Sequence, residues 1–262
     1  MLRAALAAAA VAWPAMALAA PVPCRFDGTR IAQVAAVDDG DTLMLADGRA
    51  LRLTGLQAPK MRPEDPSFRA WPHAAEAKAT LTQLAAGHDI RLHTMGAAED
   101  RHGRLLAQVT VRAGGQEIWL QQAMLRAGAA RVYTFPDNRA CARELLAAER
   151  EAREAGRGLW SLAAYRIRSV DDAAAVIGQY HLVEGVVVRA QRVRDRLFWN
   201  FGDDYRTDFT VTIPARALPL FEGAGLDPAA AAGLRVRVRG WIELRNGPDI
   251  EVTHPEQIER LD

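Results

Sequence analysis

The sequence predicts an α+β protein dominated by β-strands that form barrels, and three observations lead to this prediction. Apolar residues alternate with a period of two from Ile31 to Leu56, and they alternate again beyond Val183. Three stretches of helical periodicity lie between these two regions. Half of the 262 residues are hydrophobic, which is enough for a substantial core. We therefore expect two β-rich domains, of which the first carries three helices.

The first β-region is a meander with two tight turns. Asp39-Gly40 and Asp47-Gly48 are hairpin signals, because glycine tolerates the positive φ that such loops require. Leucines alternate before and after the second turn, at Leu43, Leu45, Leu51 and Leu53. Taken alone, the Asp41-Thr42 pair is typical of a turn flank and Arg52 of an edge-strand charge. The pattern predicts three strands between Ile31 and Leu56.

Helices and further strands follow the meander. The first predicted helix runs from Pro72 to about Ala86 and ends at Gly87. Strands are expected near 90–93 and 105–111. A second helix, which we expect to include Ile118, ends at Gly128, and a third spans roughly 138–155.

The C-terminal region reads as a second small β-unit. Its strands are predicted near 183–188, 197–201, 209–213, 234–244 and 249–253, with a hairpin at Asn246-Gly247. Arg235, Arg237 and Arg239 share one strand face, as a phosphate-binding stripe or as a solvated face. Because acidic residues lie nearby, the solvated face is favoured. Five aromatic residues cluster in this region. One interpretation is that they stack on bases; the other is that at least three of them fill the core. They are Phe198, Trp199, Phe201, Tyr205 and Phe209.

The N-terminus predicts export. Residues 1–19 combine a basic start, an alanine-rich apolar run and an A-L-A cleavage signature, as in a secretory signal peptide. The mature chain is then periplasmic or secreted, without a membrane anchor. In an exported protein the two cysteines, Cys24 and Cys141, are expected to form a disulfide. The predicted organisation is leader 1–19, first domain 20–165, linker 166–178 and second domain 179–262.

The near-neutral charge and the absence of common catalytic motifs argue against several classes of function. The net charge of +1 is not that of a polycation, so affinity for nucleic acid would depend on local placement of charge. The six histidines show no metal-ligand spacing and are predicted to be structural or exposed. There is neither a G-x-S-x-G elbow nor a P-loop.

Combined motifs over residues 30–160 resemble the staphylococcal nuclease (thermonuclease) family. They comprise D-G-D-T at 39–42, R-L at 52–53, Gly55, Pro59, Asp100, G-R at 103–104 and G-L-W at 158–160. The resemblance implies a barrel of the oligonucleotide/oligosaccharide-binding (OB) type with helices packed on it. We expect the second β-unit to be OB-like as well.

The resemblance also implies a site, from which this sequence departs at two positions. In the family, carboxylates at the positions of Asp41 and Gln57 help to hold calcium, and a glutamate at that of Lys60 activates water. Arginines at the positions of Arg52 and Arg104 bind the phosphate and stabilise the transition state. Asp41, Thr42, Gln57 and Lys60 are therefore the predicted binding residues, with Asp41 alone available to calcium.

Local charge favours anions over cations at this site. Three carboxylates and two arginines give the family site a charge of −1, whereas one carboxylate and three cations give +2 here. We therefore predict no cofactor, and a module that binds nucleic acid or another phosphate-containing ligand, with weak or lost cleavage. Two alternatives remain open: a calcium-dependent nuclease that uses a substitute acid such as Glu64 or Asp65, and an envelope interaction protein with a vestigial pocket.

Overall fold

The structure is a computed structural model that describes residues 24–28, 30–62, 65 and 67–261. The predicted leader at 1–19 and the candidate acid Glu64 lie outside the described residues.

The N-terminal half forms a barrel unit of eight strands and three α-helices. In chain order they are β1 (Arg30–Asp39), β2 (Thr42–Leu45), β3 (Ala50–Leu53), β4 (Gly55–Gln57), α1 (Ala74–Ala85), β5 (Asp89–His93), β6 (Leu105–Ala113), β7 (Gln116–Trp119), α2 (Leu120–Arg126), β8 (Arg131–Tyr133) and α3 (Ala142–Glu154).

Five strands close into a barrel in the order β3-β2-β1-β5-β6. Closure occurs because β3 pairs with β2 on one side and runs parallel to β6 on the other. The alternating leucines Leu43, Leu51 and Leu53 point inward and are fully buried. The strands β4 and β8 form a separate antiparallel pair. Both strands contact α3. The prediction of an α+β, barrel-dominated fold is confirmed.

Three local expectations for the barrel unit are corrected. The meander has a fourth short strand, β4, and Ile118 lies on β7 rather than on the second helix. Gly40 is absent from the residues with positive φ, so the predicted reason for its glycine is wrong. A Cβ at Gly40 would lie 2.6 Å from Ala58 Cβ and 2.8 Å from Ala77 Cβ, so it is the close approach of α1 that requires glycine.

The predicted disulfide between Cys24 and Cys141 is present. It joins the extended segment before β1 to the residue that precedes α3 and encloses a sequence separation of 117 residues. Loss of loop entropy in the unfolded chain would stabilise the fold by about 4–5 kcal/mol for a loop of this length. Within the described residues, no α-helix is both long and apolar enough to cross a membrane.

The C-terminal half forms one β-sheet unit. Its strands are β9 (Arg168–Ser169), β10 (Tyr180–Val186), β11 (Arg189–Val193), β12 (Arg196–Asn200), β13 (Thr210–Pro214), β14 (Arg235–Leu244), β15 (Pro248–Glu251) and β16 (Ile258–Arg260). The sheet order is β11-β12-β13-β15-β14-β10-β9, and β16 pairs with β14. Trp199, Phe201 and Phe209 are buried in its core, as predicted for at least three of the aromatic residues.

The segment predicted as a linker packs on this sheet instead of running free. Strand β9 pairs in parallel with β10, and Ala173 and Val176 are buried in the second core. The boundary between the two domains therefore stays a prediction, while the segment itself is ordered by sheet pairing and apolar contacts.

The three arginines of β14 do not form a phosphate stripe, and only one of them is largely solvated. Arg235 is exposed and pairs with Glu184 at 3.5 Å. Arg237 pairs with Glu184 and Glu259, and Arg239, whose side chain is 1% exposed, pairs with Glu149 of α3 and with Glu259. The favoured interpretation as a solvated face is therefore right for Arg235 and wrong for Arg239, which contacts the barrel unit.

Further contacts join the two halves along β8. The Arg131 guanidinium donates to the Tyr180 carbonyl at 2.7 Å, and Tyr180 Oη donates to the Val132 carbonyl at 3.2 Å. Thr134 Oγ1 and His254 Nε2 lie 2.7 Å apart and share a buried hydrogen bond. The interface is thus buried, polar and hydrogen-bonded.

Acid should weaken this interface through His254. Burial lowers the pKa of His254 to about 4, whereas an unfolded histidine has a pKa near 6.5. The unfolded chain therefore binds the proton more readily, and stability is lost as pH falls from 6.5 towards 4. We expect a loss of roughly 2–3 kcal/mol from this residue. Urea unfolding at pH 7 and pH 4.5 should show a smaller difference for His254→Gln than for the parent.

His88→Gln is the matched control for that titration, because His88 lies in the turn between α1 and β5, where its backbone N–H donates to the Ala85 carbonyl. It should keep the parent's full pH dependence. An identical pH dependence in His254→Gln and the parent would contradict the assignment.

Candidate functional site

Strand pairing brings the predicted site residues to one end of the barrel. Thr42 on β2 lies opposite Arg52 on β3, and Arg52 lies beside Leu106 on β6. Asp41 occupies the turn between β1 and β2, and Lys60 follows β4 by three residues. The sequence therefore places a carboxylate, an arginine and a lysine around the same turn.

Asp41 is a fully buried carboxylate held by three hydrogen-bond donors and an ion pair. Its Oδ1 accepts from Lys60 Nζ at 2.5 Å and from Thr42 Oγ1 at 3.1 Å, and it forms an ion pair with Arg52 Nη1 at 2.5 Å. Its Oδ2 accepts from the Ala58 backbone N–H at 2.8 Å. Burial raises the pKa of Asp41 overall, although the charges of Arg52 and Lys60 act in the opposite direction.

Lys60 bridges two aspartates. Its ammonium also lies 2.8 Å from Asp39 Oδ2. Burial raises the pKa of Asp39, but the charge and hydrogen bond of Lys60 outweigh this, and with hydrogen bonds from Asp41 they lower the pKa to about 2. The Lys60 ammonium thus contacts one oxygen of each aspartate and holds Asp39 as an anion.

Arg104 is aimed by a tight turn. Asp100 accepts from the Arg104 backbone N–H at 3.0 Å and from its Nε at 2.7 Å, and Gly103 N–H donates to the Asp100 carbonyl at 2.9 Å. Burial raises the pKa of Asp100, but the hydrogen bonds from Arg104 and from the His102 backbone lower it overall. Gly103 has a φ of +75°, which disfavours residues with a Cβ.

Gly103→Val should disrupt this turn. A β-branched residue is strained at this φ, so we expect a loss of roughly 1–3 kcal/mol in stability and misplacement of Arg104. No atom lies within 4 Å of a Cβ built at Gly103, so the effect would come from the backbone and not from a clash. Thermal unfolding and phosphate-ligand titration measure it; Gly48→Val, at a comparable φ of +84° far from Arg104, should lose stability but keep binding.

Arg52, Lys60 and Arg104 line one open cavity of about 630 Å³. Its wall also includes Gln57, and its outer edge carries Tyr133 and Phe135, whose rings meet edge to face at 4.9 Å. Phe135 is half exposed. The cavity therefore offers cations at its base and aromatic surface at its rim, while Asp41 and Thr42 support it from behind.

The side-chain oxygen of Gln57 is hydrogen-bonded to Arg131, a residue that sequence reasoning missed. Gln57 Oε1 accepts from Arg131 Nη2 at 2.9 Å and from Nε at 3.3 Å. The Arg131 guanidinium stacks over the Tyr180 ring at 4.4 Å, and burial lowers its pKa. No local pattern marks Arg131, since its partner lies 74 positions away in sequence; only the pairing of β4 with β8 joins them.

The candidate acid Asp65 lies outside the cavity. Asp65 accepts hydrogen bonds from Ser67 within its own turn and is not part of the cavity wall. In the described part of the chain, no group of three His, Cys, Asp or Glu side chains could hold a metal ion. The cavity wall is lined by cations and also by three carboxylates, Glu99, Asp100 and Asp137, none of which belongs to such a group.

Comparison with known families gives a match over part of the chain. Residues 50–162 match the family described as staphylococcal nuclease homologue, a span that contains Arg52, Lys60 and Arg104. No curated protein matches the chain significantly.

Proposed function

We propose, on the premise that residues 50–162 form a domain of the staphylococcal nuclease homologue family, that this domain binds the phosphate groups of nucleic acid with weak or lost cleavage. The observation that carries the proposal is the Lys60 ammonium, which lies 2.5 Å from Asp41 Oδ1. Nucleic acid binding and nuclease ancestry follow from the family; binding without cleavage is the further step.

The residues present do not fit calcium. Calcium takes six to eight oxygen ligands at about 2.3–2.6 Å, several of them anionic. Asp41 is the only carboxylate at the family's metal positions, and Lys60, Arg52, Thr42 and Ala58 already occupy its two oxygens. The Gln57 carbonyl oxygen is neutral and accepts from Arg131. A divalent cation would have to displace the Lys60 ammonium, which lies on Asp41 and on the neighbouring Asp39.

The same residues fit a phosphate group. Arg52, Lys60 and Arg104 face one cavity and present N–H donors to an anion. All three cations already pair with carboxylates, namely Asp41, Asp39 and Asp100, so the phosphate would bind through their N–H donors at the cavity wall rather than through an excess of positive charge. Tyr133 and Phe135 at the rim offer ring surface on which an unpaired base can stack. Single-stranded nucleic acid satisfies both features.

Hydrolysis lacks its general base. Lysine stands where the family has a glutamate, and removal of a general base lowers rates typically by ~10²–10⁴. Among the described acids of the following loop, Asp65 is engaged with Ser67. We propose in addition that the chain is exported, since its leader pattern and the Cys24–Cys141 disulfide are both typical of oxidising compartments.

Binding of single-stranded DNA without calcium tests the proposal. Fluorescence anisotropy with a labelled oligonucleotide in EDTA should show binding that weakens with salt, with a slope of log K against log salt near −2 for about three phosphate contacts. Lys60→Met should reduce the slope by about 0.7. Lys78→Met is the matched control, because Lys78 is the other lysine of the chain and lies on α1, outside the cavity.

Each other outcome selects another function. Rapid, calcium-dependent degradation of the oligonucleotide would contradict the proposal and favour a nuclease with a substitute acid. Absence of binding to DNA and to phosphate-containing ligands in low salt would favour an interaction protein with a vestigial pocket.

A further inference from the structure

A second cavity lies on the C-terminal sheet, away from the site described above. It measures about 670 Å³ and opens on the outer face of β11, β12, β13 and β15. The opposite face of these strands carries Leu197, Trp199, Val211 and Ile250 in the core. The outer face is therefore expected to be solvent-exposed. Four polar residues on it are nevertheless at most 5% exposed, namely Asn200, Thr210, Thr212 and Asp249.

Two oxygen atoms of this cavity have no hydrogen-bond partner. Asn200 Oδ1 and Asp249 Oδ1 are both buried and unpaired among the described residues. The Asp249 Oδ1 atom has Arg245 Nη1 at 4.0 Å, which is beyond hydrogen-bond distance. Buried acceptors are nearly always paired in native proteins, so two of them on one cavity wall call for a donor that arrives with a ligand.

Strand register places the polar side chains of this cavity next to aromatic side chains. Asn200 and Asp249 flank Thr210 on adjacent strands, and Phe198 lies next to Thr212 across the same face. Tyr205, which is half exposed, lines the same cavity, and the Arg206 guanidinium stacks on its ring at 5.4 Å. The cavity thus joins aromatic faces with unpaired acceptors.

The charge of the cavity is balanced, which argues against an ionic guest. Arg196 and Arg245 both pair with Glu251, at 3.1 and 3.0 Å. Burial raises the pKa of Asp249 to about 6, which brings its neutral form close to physiological pH. A cationic side chain or a bare phosphate finds no excess of opposite charge here. A flat, neutral molecule with N–H donors fits better.

We propose that this cavity binds an unpaired nucleobase of single-stranded nucleic acid, stacked on Phe198 or Tyr205 and donating N–H groups to Asn200 Oδ1 and Asp249 Oδ1. The volume lies within the range of small-molecule sites. The site is separate from the phosphate-binding cavity and does not depend on it. The chain would then contact one strand at two places, through phosphates in the barrel unit and through a base on the C-terminal sheet.

The test compares an oligomer of eight deoxycytidines with an abasic oligomer of the same length, using the mature chain in EDTA. Cytosine brings an exocyclic amino donor and a ring, whereas the abasic oligomer keeps only sugar and phosphate. We expect tighter binding of the cytidine oligomer. Phe198→Ala should weaken that binding by about 5- to 150-fold and leave the abasic oligomer unaffected. Asn200→Leu should weaken it by about 2- to 10-fold.

Controls separate binding from folding. Asn200→Leu removes an oxygen that has no partner, so its melting temperature should not fall. Val188→Ala removes an exposed apolar side chain of the same half outside the cavity and should change neither affinity.

The result that overturns this inference is equal affinity for the two oligomers, or an unchanged preference in Phe198→Ala; a protein partner for this face would give that result. Failure of the phosphate proposal is distinguishable, because it would show as abasic binding that is absent or that does not respond to Lys60→Met.

Discussion

Replacing Glu149 by leucine should lower the free energy of unfolding by about 3–5 kcal/mol, because it removes one of the two carboxylates that pair with buried arginines. Glu149 is fully buried, and its carboxylate accepts from Arg153 at 2.9 Å and from Arg239 at 3.0 Å, as well as from the Val132 backbone N–H at 2.5 Å. Burial lowers the pKa of Arg239, but the charges of Glu149 and Glu259 raise it overall, and Glu259 stays beside the arginine in the variant. Urea unfolding at pH 7 measures the loss.

A second replacement should recover part of that loss. In Glu149→Leu with Arg239→Met, the buried charge and its unpaired partner disappear together, and apolar side chains of similar volume often replace such pairs at little cost. Glu151→Gln is the surface control, since its ion pair with Arg126 is about half exposed and should contribute less than 1 kcal/mol. A loss below 1 kcal/mol in Glu149→Leu would show that the network does not hold the two halves together.

Strand and helix positions in the barrel unit followed from periodicity, and its closure followed from family resemblance. Alternating leucines at Leu43, Leu51 and Leu53 define an inward face, and this face is the same whichever strands pair. The parallel pairing of β3 with β6 spans more than fifty residues, which no local pattern encodes. Gly40 illustrates the limit: the sequence marks a turn, but the neighbour that excludes a Cβ, Ala77, comes from α1.

The arginines of β14 and the partner of Gln57 could not be predicted, for a common reason. Sequence periodicity gives the face on which a side chain lies, but not what covers that face. Glu149 lies 90 positions from Arg239, and Arg131 lies 74 from Gln57. Both pairs cross between separate elements, so their burial and charge state depend on packing of the two halves. Lys60 and Asp41 could be assigned to one site from the sequence, because the family resemblance places both positions there.

Lys60→Glu combined with Gln57→Asp should create calcium binding where the parent has none detectable at the same concentrations. The two changes move the charge of Asp41, Arg52, Arg104 and the two altered positions from +2 to −1, the balance of the family. Lys60→Glu also removes the ammonium that covers Asp41 Oδ1. Isothermal titration with calcium, with magnesium as the geometric control, measures the gain, and binding of phosphate-containing ligands without calcium should fall in the same protein.

The two substitutions should contribute unequally, because Arg131 donates to Gln57 at 2.9 Å and would neutralise a carboxylate introduced there. Lys60→Glu alone should therefore give most of the effect, and Gln57→Asp alone little. Lys78→Glu applies the same change of charge on α1 and should leave calcium binding absent, which separates a local site from bulk charge. Calcium binding by the parent at the affinity of the double variant would contradict the argument, since it would mean that the Lys60 ammonium does not block the carboxylate of Asp41.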